Sequence, residues 1–289
     1  MTDAQDLPFR HYGLRHRAIA WISRCLFDRF TYTVRHGLIR GMKRTGGLGW
    51  LPAWLAGGAE TQEEMFWRGL PLDGLVVYDV GAFHGILTLW FAGRGAQVIA
   101  YEPNEVNHAR LMENIRLNRL AQVRVRKLGV GSLPGCGTLH YSPQMAGGGT
   151  VNPDATGPVS QRVEITTLDG DIAAANLPAP DFIKIDVEGW ELEALRGARV
   201  TLDAHHPALF LEMHGETMRE KKRKAAEIVA FLRNAGYANI VHVESGAAIT
   251  PANDSVAAEG HLYCRYTAGR SGPCPTNISS QPLTASLQS

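Results

Sequence analysis

The chain lacks several features that would assign it quickly. Among 289 residues there are only four cysteines, Cys25, Cys136, Cys264 and Cys274, all widely spaced. They form no C-x-x-C pair and no zinc-type cluster with histidine. Neither a disulfide framework nor a zinc module is expected; reduced, structurally passive cysteines in a cytoplasmic chain are. The formal net charge is only +1, so no global field draws the molecule toward nucleic acid, which is not expected as a partner. Internal repeats are absent, and no signal-peptide core with a cleavage site is visible near Met1. Long uninterrupted apolar runs are missing too. The most apolar stretch, residues 76–104, is broken by Asp79, Arg94 and several glycines, which argues against a membrane span.

Acids are scarce near the start. Between Arg10 and Arg44 nine Lys or Arg residues accompany a single acid, Asp28, together with His11, His16 and His36. The reading is a basic amphipathic helical segment over 11–45 with the aromatics Trp21, Phe27, Phe30 and Tyr32. It would form a solvated basic surface, with an anionic substrate, RNA or weak membrane-surface contact as its conceivable partners.

What is present is a rhythm of short apolar strands and helices. VVYDV (76–80), QVIAYE (97–102), VRVRKLGV (123–130), RVEITTL (162–168), DFIKIDV (181–187) and PALFLEMH (207–214) read as strands. Helical patterns fall at 61–68, 83–93, 104–118, 190–198 and 217–235, and YANIVHVE with HLYCRYT reads as a terminal antiparallel pair. Such alternation indicates an α/β fold with a mostly parallel sheet. Residues 131–162 read as a long irregular loop, either simply mobile or closing over and shaping the substrate pocket. The expected organisation is a basic helical extension over 1–70, a sheet domain over 71–268 and a disordered tail over 269–289.

The sequence YDVGAFHG places Asp79, Gly81 and Gly85 at a strand-to-helix junction, where glycines let backbone approach a ligand. Its spacing is D-x-G-x-x-x-G rather than the G-x-G-x-x-G of dinucleotide folds. An acid here opposes a diphosphate and suits a cationic ligand, which favours S-adenosylmethionine over NAD. Glu102 ends the next strand, 23 residues after Asp79, where an acid accepts hydrogen bonds from ribose hydroxyls. Lys184 and Asp186 share one face of a buried strand that ends at Glu188. Such charges are expected to be paired or to contact ligand, so a Lys184 ion pair and a site role both stay open.

Together, YDVGAFHG, IAYEPN with ARLMENIRLN, TTLDG, DFIKIDVEGWELEALRGA and ALFLEMHG resemble the FkbM family of S-adenosylmethionine-dependent methyltransferases. GMKRTGGLGWLP resembles the N-terminal extension of some members. The resemblance implies a Rossmann-like class I methyltransferase fold with a seven-stranded sheet. It implies O-methylation of a hydroxyl on a small molecule, sugar or glycan-like product. By motif, Asp79, Gly81, Ala82, Phe83, His84 and Gly85 would surround the methionine end, and Glu102 with Pro103 the ribose. The adenine wall would lie near Val130 and Gly131. Asp186, Glu188 and Lys184 would stand at the sulfonium and acceptor. Phe83 and His84 replace the small polar and β-branched residues usual in that turn, and Asn104 is expected to cap the next helix.

For proton removal the residues proposed are Asp186 and His214, the latter the better base by its ordinary pKa, with Glu212 orienting it. His84 is a second candidate. Asp186, Glu212 and His214 are conceivable metal ligands, but their spacing shows no compact carboxylate cluster, so no metal is expected. The rival readings are an NAD(P)-binding oxidoreductase, an N- or RNA-methyltransferase, and a cofactor-binding protein without catalysis.

Overall fold

Alternation of side chains along short strands sets the architecture. In β10 (Ala208–Glu212), Leu209 and Leu211 enter one core cluster and Phe210 enters the other, on the opposite face of the sheet. The structure, a computed structural model, describes residues 30–47, 61–141, 159–215 and 217–266. Its main sheet contains β3 (Val76–Val80), β4 (Gln97–Tyr101), β5 (Val123–Arg126), β9 (Phe182–Ile185), β10, β11 (Asn239–His242) and β12 (His261–Arg265). The spatial order is β11-β12-β10-β9-β3-β4-β5. All neighbouring pairs from β10 to β5 are parallel, and β12 runs antiparallel to both β10 and β11. This is the mostly parallel sheet that the alternation implies, with its terminal antiparallel pair, and it has the seven strands that the family resemblance implies.

Helices pack on both faces: α1 (Gln62–Gly69), α2 (Ile86–Gly93), α3 (Glu105–Asn118), α4 (Leu168–Ala174), α5 (Glu191–Arg196), α6 (Arg199–His205) and α7 (Met218–Asn234). Helix α1, assigned by sequence to the N-terminal extension, puts Phe66 and Trp67 into the sheet's own core. The Trp67 ring lies 4.1 Å from that of Phe210. The short helices α4 and α6 escape pattern reading because neither spans two full turns of apolar periodicity. Thr167 caps α4, its hydroxyl accepting from the Gly170 N–H at 3.0 Å.

Two expectations are corrected. From Phe30 onward the supposed basic helix is a β-hairpin, in which β1 (Thr31–Thr33) pairs antiparallel with β2 (Lys43–Thr45). Tyr32 is buried between exposed Thr31 and Thr33, a period of two that β-branched flanks favour. Gly37 and Gly41, both at positive φ, bring the chain back. The supposed loop 131–162 contains most of a second sheet. Its strands are β6 (Gly129–Val130), β7 (Gly135–Tyr141) and β8 (Val159–Thr166), in the order β6-β8-β7. The glycines at 135 and 137 hide β7 from propensity reading. Cys136 and Cys264 are free thiols. The helix expected before residue 30 (with Trp21, Phe27, Cys25, His11 and His16), the loop centre at 142–158, and the tail with Cys274 lie outside the described residues.

Asn114, wholly buried on α3, ties the hairpin to the turn after β3. Its Oδ1 accepts the Thr45 N–H at 2.9 Å and its Nδ2 donates to the His84 carbonyl at 2.9 Å. Asn114→Ala strands a buried donor and acceptor, so unfolding free energy should drop by about 2–4 kcal/mol. At about 2–4 °C per kcal/mol in a chain of this size, a thermal melt should show a fall of several degrees. An unchanged melt would remove Asn114 from this role.

Candidate active site

The carboxyl ends of β3, β4, β9 and β10 meet where the strand order reverses between β3 and β9, the place at which open α/β sheets bind ligands. A pocket opens there, and Gly81, Phe83, Glu102, Asp186, Glu188 and Glu212 all line it. Gly81 has φ +81, and a Cβ on it would lie 1.8 Å from the Asp186 carbonyl oxygen. Only glycine lets the β3 and β9 turns come this close.

At one end stands Glu102, only 6 % exposed. Its Oε2 accepts the Phe83 N–H at 2.8 Å, and its Oε1 accepts the Asn104 N–H at 2.9 Å and the Asn107 side-chain amide at 3.5 Å. Burial pushes its carboxyl up to about 7 despite these donors. Phe83 reaches Glu102 from a left-handed backbone at φ +51, and its ring stacks on His84 with centroids 3.8 Å apart. A non-glycine residue held there is strained, as is Glu188 at φ +52. Asn104 caps α3 as expected, accepting from the Val106 and Asn107 N–H groups. Leu128, Gly129 and Val130 supply the wall opposite, with Trp190.

Several expected contacts are buried beneath the pocket. Asp79 is fully buried and accepts the Thr88 hydroxyl at 2.5 Å. Lys184, 4 % exposed, lies 3.3 Å from Asp79 and 3.2 Å from Asp186 and donates to the Gly81 carbonyl at 2.8 Å. Burial opposes its charge, but Asp186 and Asp79 outweigh it and raise its pKa. Asp79 therefore does not meet a cationic ligand, although its place in the turn suggests one; its charge is matched by Lys184. Lys184 in turn holds the turn from below and does not face the pocket as a catalytic group would. Ala82, His84 and Gly85 also lie off the pocket lining, and Gly131 sits behind Trp190, whose indole nitrogen a Cβ there would meet at 3.0 Å. Pro103 lines it.

The other end is acidic. The pairing of Leu211 with Ile185 sets the next residues, Glu212 and Asp186, side by side. His214 follows, with Nε2 at 3.4 Å from Glu212, 3.4 Å from Glu188 and 3.7 Å from Asp186. Its Nδ1 donates to Glu191 at 2.9 Å. The imidazole is thus held at Nδ1 by Glu191, while Glu212, the partner that strand parity suggests, stands at Nε2. Burial lowers its pKa, but Glu191, Glu212 and the charge of Glu188 prevail and push it up to about 11. The expectation of a ready neutral base at His214 is corrected accordingly. Burial raises the pKa of Asp186 against the pull of Lys184, with Glu212 adding to the rise. The expectation of no compact ligand cluster is corrected as well: one ligand atom each of Asp186, Glu212 and His214 lie within 4.8 Å of one another. Glu191, Asn107, Trp190 and His261 were invisible to sequence reading, since a glutamate opening a short helix or a histidine opening a strand carries no spacing signal.

The family model of the methyltransferase FkbM domain matches residues 79–238, more than half of the chain. The chain belongs to the FkbM methyltransferase family. Its cofactor is therefore S-adenosylmethionine, and the pocket suits that group: a buried carboxylate at Glu102 for ribose hydroxyls, close backbone at Gly81, and carboxylates at the far end toward positive sulfur. Hexuronic acid methyltransferase AglP of Haloferax volcanii is 33% identical over 125 residues, 42% of this FkbM methyltransferase and 49% of the relative. Methyltransferase sdnD of Sordaria araneosa is 28% identical over 201 residues, 58% of this chain and 75% of its own. The chain thus spans about half the length of AglP. Among solved structures, a methyltransferase FkbM from Methylobacillus flagellatus is 23% identical, with a TM-score of 0.44, over 66% of this chain and 43% of that one. Among the described residues, no helix of this FkbM methyltransferase is long and apolar enough to cross a membrane.

Proposed function

We propose that this enzyme transfers the methyl group to a hydroxyl oxygen of a small molecule, sugar or glycan. The observation that carries the reading is the acidic end of the pocket, where Asp186, Glu188 and Glu212 face the space beyond Gly81. Bound S-adenosylmethionine supplies a sulfonium whose methyl carbon is already activated for in-line displacement. The chain's residues must then orient the acceptor and take its proton. Asp186 is the proton acceptor in this reading: it lines the pocket, and burial raises its basicity. Lys184 is a positioning residue, holding Asp186 and the Gly81 carbonyl in one arrangement. Three carboxylates disfavour an anionic acceptor atom such as a free carboxylate and favour a neutral hydroxyl.

The sugar part of the reading draws on AglP, named a hexuronic acid methyltransferase. The test is methyl-labelled cofactor offered with sugars, hydroxylated aromatics, amines and carboxylic acids. Label in an ether is expected; label confined to amines or to carboxylates would overturn the reading.

Glu102 makes cofactor binding pH-dependent. Ribose hydroxyls donate best to an ionised carboxylate, and Glu102 ionises at about 7. Below that value binding must first expel a proton, so affinity rises with pH and levels above it. Between pH 6 and 8 the Kd should fall about tenfold in titration calorimetry. Glu102→Gln should flatten the curve and weaken binding about 10- to 100-fold, the worth of hydrogen bonds to a charged group. Glu188, which burial also pushes up to about 7, is separated by Glu188→Gln, expected to keep the slope. A flat wild-type curve would exclude the role.

A further inference from the structure

We propose that His214, Asp186 and Glu212 form a divalent-cation site at the acceptor end of the pocket. Three carboxylate oxygens converge on His214 Nε2 at 3.4 to 3.7 Å. These separations exceed those of good N–H···O hydrogen bonds. One ligand atom each of Asp186, Glu212 and His214 lie within 4.8 Å of one another, close enough to draw onto one ion, whose ligands at about 2.1 Å stand roughly 3.0–3.5 Å apart.

The second observation is independent of the acids and concerns the imidazole's other nitrogen. Glu191 is 1 % exposed, and its Oε1 accepts both His214 Nδ1–H at 2.9 Å and the Gly189 N–H at 2.8 Å. A buried acceptor at Nδ1 holds the ring with Nε2 facing the carboxylates, the outer-shell arrangement usual for metal-bound histidine. A bound cation would take the place of the Nε2 proton among the three anionic oxygens.

The flanking groups hold the ligands in place. Lys184 takes Asp186 Oδ2 and leaves Oδ1 facing His214. His261, opposite Glu212 across β10 and β12, stands 3.6 Å from Glu212 Oε2 and is itself paired with Glu244. Glu212 Oε1 faces His214 Nε2 at 3.4 Å. Because Asp186, Glu188 and Glu212 line the pocket, the site is open on that side, as catalytic metal sites are. One imidazole with two or three carboxylates suits Mn²⁺, Mg²⁺ or Zn²⁺ better than Ca²⁺, which takes all-oxygen shells.

The catalytic consequence rests on the hydroxyl reading above. An acceptor oxygen bound to the cation would lose its proton more readily. With the cation held by Asp186, the proton would pass to Glu188, which lines the pocket outside the ligand set, while the oxygen bonds the methyl carbon and the carbon–sulfur electron pair stays on sulfur.

The test is Mn²⁺ binding to the full chain after chelator treatment, read by the loss of the free-ion paramagnetic resonance signal. One ion per chain is expected, and the pulsed spectrum should show coupling to an imidazole nitrogen in the wild type. His214→Ala and Glu212→Gln should each weaken binding at least tenfold. Glu191→Gln, which meets the imidazole only at its far nitrogen, should weaken it about 10- to 100-fold. Glu193→Gln, on the outer face of α5, should leave it unchanged. The wild-type nitrogen coupling decides the matter if the His214 variant does not fold. No bound Mn²⁺ at millimolar concentration, or an ion without nitrogen coupling, would overturn the site. Methyl transfer at full rate in chelator would also overturn it while leaving the proposed reaction intact. A bound ion without transfer to any hydroxyl acceptor would do the reverse.

Discussion

Asp186→Asn should lower the rate of methyl transfer by about 10²–10⁴, the usual worth of a positioned proton acceptor. Cofactor affinity should stay within a few-fold, because the ribose end at Glu102 is untouched. The asparagine keeps the shape of the side chain and removes its negative charge and basicity. Lys184 retains Asp79 at 3.3 Å and the Gly81 carbonyl at 2.8 Å, so the turn beneath should persist. Single-turnover transfer of labelled methyl to a saturating hydroxyl acceptor measures the loss, and calorimetry with S-adenosylhomocysteine measures binding. A variant that transfers at the wild-type rate would take Asp186 out of the chemistry. One that loses binding to the same extent would make it a cofactor ligand instead.

Gly81→Ala should be nearly as damaging by another route. The new methyl group would sit 1.8 Å from the Asp186 carbonyl oxygen, and the backbone there has φ +81. The left-handed conformation alone costs about 1–3 kcal/mol for a side chain. Relief of the clash must also push the β3 and β9 turns apart by more than an ångström, and misplacement of about 1 Å costs roughly 10²-fold in rate. We expect kcat/KM to fall at least that far, with a lower melting temperature and weaker cofactor binding. Gly135→Ala is the control: nothing lies within 4 Å of its added Cβ and its φ is not positive. Wild-type kinetics and melting in Gly81→Ala would show that the two turns are not held together as described.

Much of the site is legible in the chain because parallel strands deliver their last residues to one edge. Gly81, Glu102, Asp186 and Glu188 each follow a short apolar strand, and period-two alternation with strand ends is local information. What stayed hidden depends on which strands lie side by side. Asp186 and Glu212 are neighbours only because β9 and β10 pair in register, and His261 meets Glu212 only because β12 returns antiparallel. The hairpin at 31–45 is hidden in the sequence because its basic and aromatic residues suit a helix face equally well until Tyr32 finds a core to enter.

By itself, then, the sequence determined the α/β layering, the cofactor turn and the acids at the strand ends, since each follows from spacing along one or two adjacent elements. Only the tertiary structure decided what those charges do. It buried Asp79 against Lys184, surrounded His214 with four carboxylates, and held its Nδ1 on Glu191. Protonation and metal affinity depend on distance through space and on burial, and neither is written in the order of residues.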